Sequence, residues 1–281
     1  IDALLNFDFI RYSLISGLLI GFIAPLIGAF IVVRRLSLIA DALSHVTLGG
    51  ISFGMFLLTI IPVFSVINPM WFGILFAVIG ALLIEKLRTS FSNYQEIAIP
   101  IIMSAGIALS AIFISLADGF NQEIVGLLFG SISAVNISDL TTIIIITIIV
   151  LIFIVLFYKE LFILSFDEEY SKVIGIPKWI QFLFIVIVAM VISASMRVVG
   201  ILLVSALITL PIAISMRITK GFKQLIALSV ILGELSVILG LIIAFYMNIS
   251  PGGVIVVLLV LMLILTMIIQ KLKIKFKKGV V

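Results

Sequence analysis

Cysteine is missing from all 281 residues, and histidine appears once, as His45. No disulfide and no thiolate metal site can be built from such a chain. A single imidazole also excludes H-E-x-x-H, and with it a membrane zinc protease of that kind. No G-x-x-x-x-G-K-[ST] occurs, so ATP is not held here by a P-loop. Charge is scarce too: Asp, Glu, Lys and Arg together make 11% of the chain, against roughly 25% in a soluble globular domain. Basic residues interleaved with aromatics over a soluble surface are lacking, and nucleic acid is not an expected partner.

What fills the chain is apolar. Hydrophobic residues make up 64% of it, and mean hydropathy is +1.50. Apolar runs of about 18 residues or more recur from end to end, each able to cross a hydrocarbon layer of about 30 Å as a helix. The expected fold is all-α: a polytopic membrane helical bundle of eight or nine transmembrane helices, forming one domain over residues 1–281. Nine spans can be drawn, at residues 10–33, 36–61, 70–84, 97–116, 140–158, 179–194, 198–216, 222–246 and 254–269. Asp2 and Asp8 precede the first run, unlike the basic start of a cleaved leader, so that run is read as a retained span.

The connections alternate in charge. One set carries Arg34 and Arg35, Lys86 and Arg88, Lys159, Lys172 and Lys178, Arg217, Lys220 and Lys223, and the tail from Lys271 to Lys278. Of the 17 basic residues, all but Arg11 and Arg197 fall in that set. The positive-inside rule then places the C-terminus in the cytoplasm and the N-terminus outside, as an odd number of spans requires. The net charge of +4 reflects this orientation rather than an anionic partner, and the tail rests on anionic lipid of the bilayer. The short pair 179–194 and 198–216, which flanks Arg197, leaves room for one broken or re-entrant helix buried in protein.

Two connections promise more than linkage. SFDEEYSKVIGIPKW, residues 165–179, gathers Asp167, Glu168 and Glu169 before a helical pattern that stops at Gly175 and Pro177. Acids favour a helix start, and glycine and proline favour its end, so a short surface helix is expected. DGFNQEIVGLLFGSISAVNISD, residues 118–139, is too polar for a span and too apolar for a free loop. Part of it is expected in the interface or folded back into the bundle.

Three ionisable residues remain deep inside spans once segment ends are set aside: Asp41, His45 and Glu234. Each costs several kcal/mol by insertion scales and needs a partner or a purpose. On a helix entering at about Leu36, Asp41 lies roughly 8 Å and His45 roughly 14 Å along, near the midplane. As an i, i+4 pair they share a face. An acid and an imidazole make half of a transition-metal site, which usually takes four or more ligands. The chain has no second histidine, so a symmetric dimer would be needed to supply the other half. The structural alternative is that Asp41 caps a helix and His45 bonds a neighbour, with Ser44, Thr47, Gly49, Gly50 and Gly54 packing closely. Glu234, about 18 Å into its span, is read as a third ligand, a proton carrier or a protonated acid bonded within the bundle. Arg197 is expected at the outer interface, against a helix C-terminus or lipid phosphate.

RRLSLIADALSHVTLGGISFG, residues 34–54, resembles the signature of the membrane permeases of ATP-binding-cassette importers for zinc and manganese. The resemblance continues through EIAIPIIMSAGIALS, EIVGLLFGSISAVNISDL, FDEEYSKVIGIP and RVVGILLVSALITLPIAISMR, in order over essentially the whole chain. It implies that Asp41 and His45 meet the ion in the pathway. It also implies that Asp167, Glu168, Glu169, Tyr170, Val173 and Gly175, within a loop at about 165–178, form a coupling helix docking on a separate ATPase. Family members often carry an acid before a Pro-Ser-Gly turn near the last outer loop; here the run is YMNISPGG, with Asn248 and Gly252 in that neighbourhood.

The implied function is transport rather than catalysis: import of a divalent transition metal, Zn²⁺ before Mn²⁺, by alternating access across the cell membrane. The implied partners are a second copy, cytoplasmic ATP-binding subunits and an extracellular metal-binding protein. No cofactor is bound permanently, and ATP stays on the partner. Three other readings differ in class: a secondary cation transporter or channel using Asp41 or Glu234, a permease for a bulky chelate, and a membrane scaffold.

Overall fold

A computed structural model describes residues 8–60, 68–91, 94–117, 122–131 and 135–278. The expectations placed on Asp2 and on part of residues 118–139 lie outside that set. The helices are α1 (Asp8–Val33), α2 (Leu38–Ile60), α3 (Met70–Ser90), α4 (Ala98–Leu116), α5 (Gln122–Phe129) and α6 (Ile137–Leu156). They continue as α7 (Tyr158–Phe166), α8 (Glu168–Ile174), α9 (Lys178–Val199), α10 (Ile201–Ile218), α11 (Phe222–Met247) and α12 (Pro251–Lys278). No strand occurs among the described residues. Isoleucine-rich α6 shows why: its ISDLTTIIIITIIVLIFIVL has the composition of a strand in water. In hydrocarbon only a helix closes its backbone bonds within one segment. Asn136 starts α6 with a capping box, its side chain accepting from Asp139 N at 2.9 Å while Asp139 accepts from Asn136 N at 3.2 Å.

Among the described residues, eight helices are long and apolar enough to cross a membrane: α1, α2, α3, α4, α6, α9, α11 and α12. The sequence leaves α10 ambiguous, and its contacts place it. Near its start Gly252 packs directly on the Val199 carbonyl, and near its end the Gln270 side-chain amide donates to the Arg217 carbonyl. Helix α10 thus keeps level with α12 at both ends over about 27 Å. The short pair is two antiparallel helices rather than one broken helix: α9 runs on to Val199, and Gly200 turns the chain. The Gly200 N–H closes α9 on Met196 O at 2.8 Å, and its carbonyl opens α10 by accepting from Val204 N at 3.2 Å. Its φ of 90° lies where only glycine is unstrained.

Helices α1 and α9 are the most buried spans. α1 packs on α11, α10, α6 and α9, and α9 also packs on α3, α6 and α2. One end of the bundle carries Arg34, Arg88 and Arg217 and is called the basic end here; Arg197 marks the far end. The apolar loop folds back as expected, since Ile124 and Leu127 of α5 are buried where α5 meets α9 and α10. Helix α7 has no counterpart among the expected elements. It breaks from α6 at Phe157 and is held at the basic end by aromatic packing, with Phe222 set 5.2 Å from Phe30 and 5.4 Å from Phe162.

Helix α1 meets α10 without space for a side chain at Gly28. A Cβ there would stand 2.1 Å from Ile208 O and 2.8 Å from Ile212 Cδ1. Gly28→Val should therefore lower unfolding stability by about 1–3 kcal/mol, the usual penalty of overpacking. Thermal unfolding in detergent reads this, and an unchanged midpoint would contradict the close approach.

Candidate functional site

The turn that delivers Asp41 and His45 is built at the end of α1. Arg35 N donates to Val32 O at 3.0 Å and Leu36 N to Ile31 O at 3.1 Å, the paired bonds of a Schellman motif. Arg35 takes φ 60°, a left-handed conformation that costs an L residue roughly 1–2 kcal/mol. This motif consumes Leu36, so α2 begins at Leu38, two residues later than the sequence suggests. Asp41 then lies about 5 Å and His45 about 10 Å along the axis, in the basic third of α2 rather than near its middle.

Both side chains are partly buried on one stripe of α2, and neither bonds to any described residue. Asp41 sits inside the first turn rather than before it, so it does not cap the helix. His45 is held through its backbone alone. Gly106 of α4 lies so close that a Cβ would be 2.8 Å from Val46 N and 3.0 Å from His45 C. The Ser110 hydroxyl shares its proton between Gly106 O at 2.7 Å and His45 O at 3.1 Å. On the opposite side Thr47 meets Ser193 of α9 at 3.3 Å, and a Cβ on Gly50 would lie 2.5 Å from Phe72 O. The small residues of α2 thus pack as expected, and they fix the helix while leaving the acid and imidazole uncommitted.

Glu234 is partly buried on α11, a helix that packs on α1, α12 and α10, and it too bonds to no described residue. No group of three His, Cys, Asp or Glu placed to hold a metal exists among the described residues. Within one copy, then, Glu234 does not join Asp41 and His45. Beside the pair, α4 exposes Ser104, Ala108, Ala111 and Ser115 on one stripe, a surface of small side chains that permits close helix approach.

The second element is α8. Asp167 caps it, accepting from Tyr170 N at 2.8 Å, and Gly175 ends it at φ 82°, a conformation that suits glycine. Glu169, Tyr170 and Val173 point outward, Val173 with 83% of its surface exposed. Glu168 turns the other way. Its Oε2 stands 3.5 Å from Arg34 Nη2 and 3.6 Å from Arg88 Nη2. Burial holds the Arg34 guanidinium pKa below its ordinary value, and the Glu168 carboxylate offsets only part of that lowering. Arg88 also donates to Glu85 at 3.2 Å and to Gln95 at 3.1 Å, and Gln181 of α9 donates to Glu85 at 2.6 Å. The sequence grouped Glu168 with its outward neighbours, and only the doubled arginines and Glu85 hinted at this cluster.

At the far end Arg197 pairs with the buried carboxylate of Asp139 at 3.2 Å, a partner within the bundle rather than the expected helix C-terminus. Its Nη2 also lies 3.5 Å from Asn68 Oδ1.

Residues 6–270 match the family model described as "ABC 3 transport family". A "Probable metal transport system membrane protein" of Treponema pallidum (strain Nichols) is 32% identical over 94% of this chain and 98% of its own. The "Manganese import system permease protein ScaB" of Streptococcus gordonii is 30% identical over 91% of this chain and 89% of its own. Among solved structures, "PsaBC from Streptococcus pneumoniae in complex with Fab" superposes with a TM-score of 0.81 at 29% identity, over 94% of this chain and 93% of that one.

Because neither Asp41 nor His45 bonds to a described residue, Asp41→Ala and His45→Ala should each change unfolding stability by no more than about 1 kcal/mol. The share due to Asp41 reflects only its place in the first turn. Thermal unfolding of the three proteins decides the matter. A loss of about 2 kcal/mol or more would restore a structural role for the residue concerned.

Proposed function

Since the chain belongs to the ABC 3 transport family, we propose that it is a permease whose α2 pair, Asp41 and His45, passes a divalent transition metal across the membrane, driven by ATP on a partner. The chain is the membrane-spanning subunit of a metal importer and not itself an ATPase; hydrolysis belongs to a separate subunit. The observation that carries the proposed route is an acid and an imidazole stacked four residues apart inside a span, with no bond to any described residue.

The chemistry of such a pair suits a passing ion. A divalent cation cannot enter hydrocarbon with its charge uncompensated, and ligands at the right depth replace part of its water shell. Two ligands from one copy are too few to trap it. A second copy docked along the exposed small-residue stripe of α4 would bring four ligands to a common axis, two carboxylates and two imidazoles. Such a set accepts manganese or zinc. The names of ScaB and of the Listeria monocytogenes MntC relative specify manganese. They support Mn²⁺ as the cargo over the zinc that the sequence reading favoured. The positive-inside rule places the basic end in the cytoplasm, which puts the outward side chains of α8 where an ATP-binding subunit can press on them. The far end, where Arg197 and Asp139 tie α9 to α6, then faces an extracellular metal-binding protein. Displacement of α8 by ATPase closure would switch the exposed side of the route.

Proteoliposomes holding the permease, its ATPase and its binding protein test this reading. ATP should drive uptake of Mn²⁺ in preference to Zn²⁺, and Asp41→Ala and His45→Ala should each cut the rate at least about tenfold, since even a ligand's hydrogen-bond partner is worth about 10- to 100-fold. Uptake driven by a pH gradient without ATP would instead favour a secondary transporter. Full-rate uptake by both variants would remove the pair from the route.

A further inference from the structure

We propose that Glu168, clamped between Arg34 and Arg88, is the joint that makes α8 and α2 move as one body, so that Asp41 and His45 follow any displacement of α8. Its mechanical part stands on geometry alone, and its consequence for transport rests on the function proposed above.

The joint is held by charge, and its two cations are shielded from solvent. The Arg34 and Arg88 side chains are 4% and 8% exposed, and the Glu168 carboxylate lies between them. With Glu85, the four groups sum to zero. Without the Glu168 charge, two buried guanidinium groups would share one carboxylate, and an uncompensated buried cation is strongly unfavourable. The N-terminus of α8 therefore cannot lift away without uncovering positive charge.

Among the described residues, the Glu168 ion pairs are the charged links from α8 to the helices of the site. Helix α8 packs chiefly on α7, and both ion pairs that leave it start at Glu168. The hydroxyl of its buried Ser171 turns back to Glu168 O at 2.6 Å. A cavity of about 390 Å³ separates the α1–α2 turn from the α7–α8 connection beside Glu168, so side-chain packing does not do the work of the ions. The covalent exits from α8 are short and lead elsewhere: the bonded N-cap Asp167 joins it to α7, and a Schellman turn at Gly175 leads on toward α9.

From the joint to the metal pair, in contrast, the path is stiff. Arg34 is followed by the hydrogen-bonded Schellman turn and then by α2. No glycine or proline interrupts RRLSLIAD. Arg88 and Gln181 extend the same cluster into α3 and α9, both of which pack on α2. Glu168 is thus a positioning residue that acts through α2.

The natural absence of cysteine gives a clean test. Spin labels on Val173→Cys of α8 and Ile60→Cys at the far end of α2, both exposed, report the distance between the two bodies by pulsed electron resonance on the full chain in nanodiscs. The distribution should be narrow in the parent and should broaden in Glu168→Gln. Arg34→Lys should keep it narrow and Arg34→Gln should broaden it, which covers the case where Glu168→Gln does not insert. With the ATPase present, metal carried per ATP hydrolysed should fall about tenfold in Glu168→Gln. Simple unfolding would lower both quantities together and leave that ratio unchanged. A distribution as narrow in Glu168→Gln and Arg34→Gln as in the parent overturns the joint. If the parent carries no metal under ATP, the transport reading fails, and the label distances still decide the joint.

Discussion

Scarcity of water around charge governs this molecule. Inside a bundle that excludes water, an ionised group must find an opposite charge, a hydrogen-bond partner or a passing ion. At the basic end Arg34, Arg88, Glu85 and Glu168 neutralise one another. At the far end Arg197 and Asp139 do the same. Between those two ends, Asp41, His45 and Glu234 bond to no described residue, and only the first two share a helix face. The contrast separates charges that hold the fold from charges left free for something else.

Leaving a pair free does not mean leaving it loose. α2 is pinned on one side by the approach of Gly106 and the Ser110 hydroxyl, and on another by Phe72 against Gly50 and Ser193 against Thr47. Each contact engages the backbone or a small side chain of α2 and spares the stripe that bears Asp41 and His45. If the pair binds an ion as proposed, a pair fixed this way would meet it with little reorganisation, with none of its lone pairs committed to a described residue beforehand. Small residues around an ionisable pair are thus the means by which the helix is located without consuming the groups it presents.

Local features were legible in the sequence and distant ones were not. The Asp167 cap, the acids after it and the Gly175 stop together specify α8, because each acts within one helical turn. The Asp41 and His45 stripe was legible for the same reason. The start of α2 falls two residues later than its apolar pattern suggests, because Arg35 occupies a left-handed position normally signalled by glycine. Helix α7 leaves no clear signal in the sequence, because it is too short for a span and is stabilised by rings from α1 and α11. Asp139 and Arg197 lie 58 residues apart, so no spacing rule links them, and the inward turn of Glu168 depends on arginines from two other segments. What the sequence withholds in each case is which surfaces meet, since apolar periodicity marks a face without naming its partner.

The two charged assemblies at the basic end and on α2 are only seven residues apart along the chain, from Arg34 to Asp41. That shortness bears on how a permease could change the side to which a site opens. A long, hinged path would absorb a push at α8 in bending before it reached the ligands. Under the proposed joint, a push would enter at a carboxylate held by two buried cations, cross one closed turn and arrive in the first turn of α2. Packed helices shift between discrete arrangements rather than deforming smoothly, so displacement of α2 alters the His45 contact with Gly106 and Ser110 at the same time as it carries Asp41. Holding the ion and releasing it would then be two positions of one helix, not the opening of two separate gates.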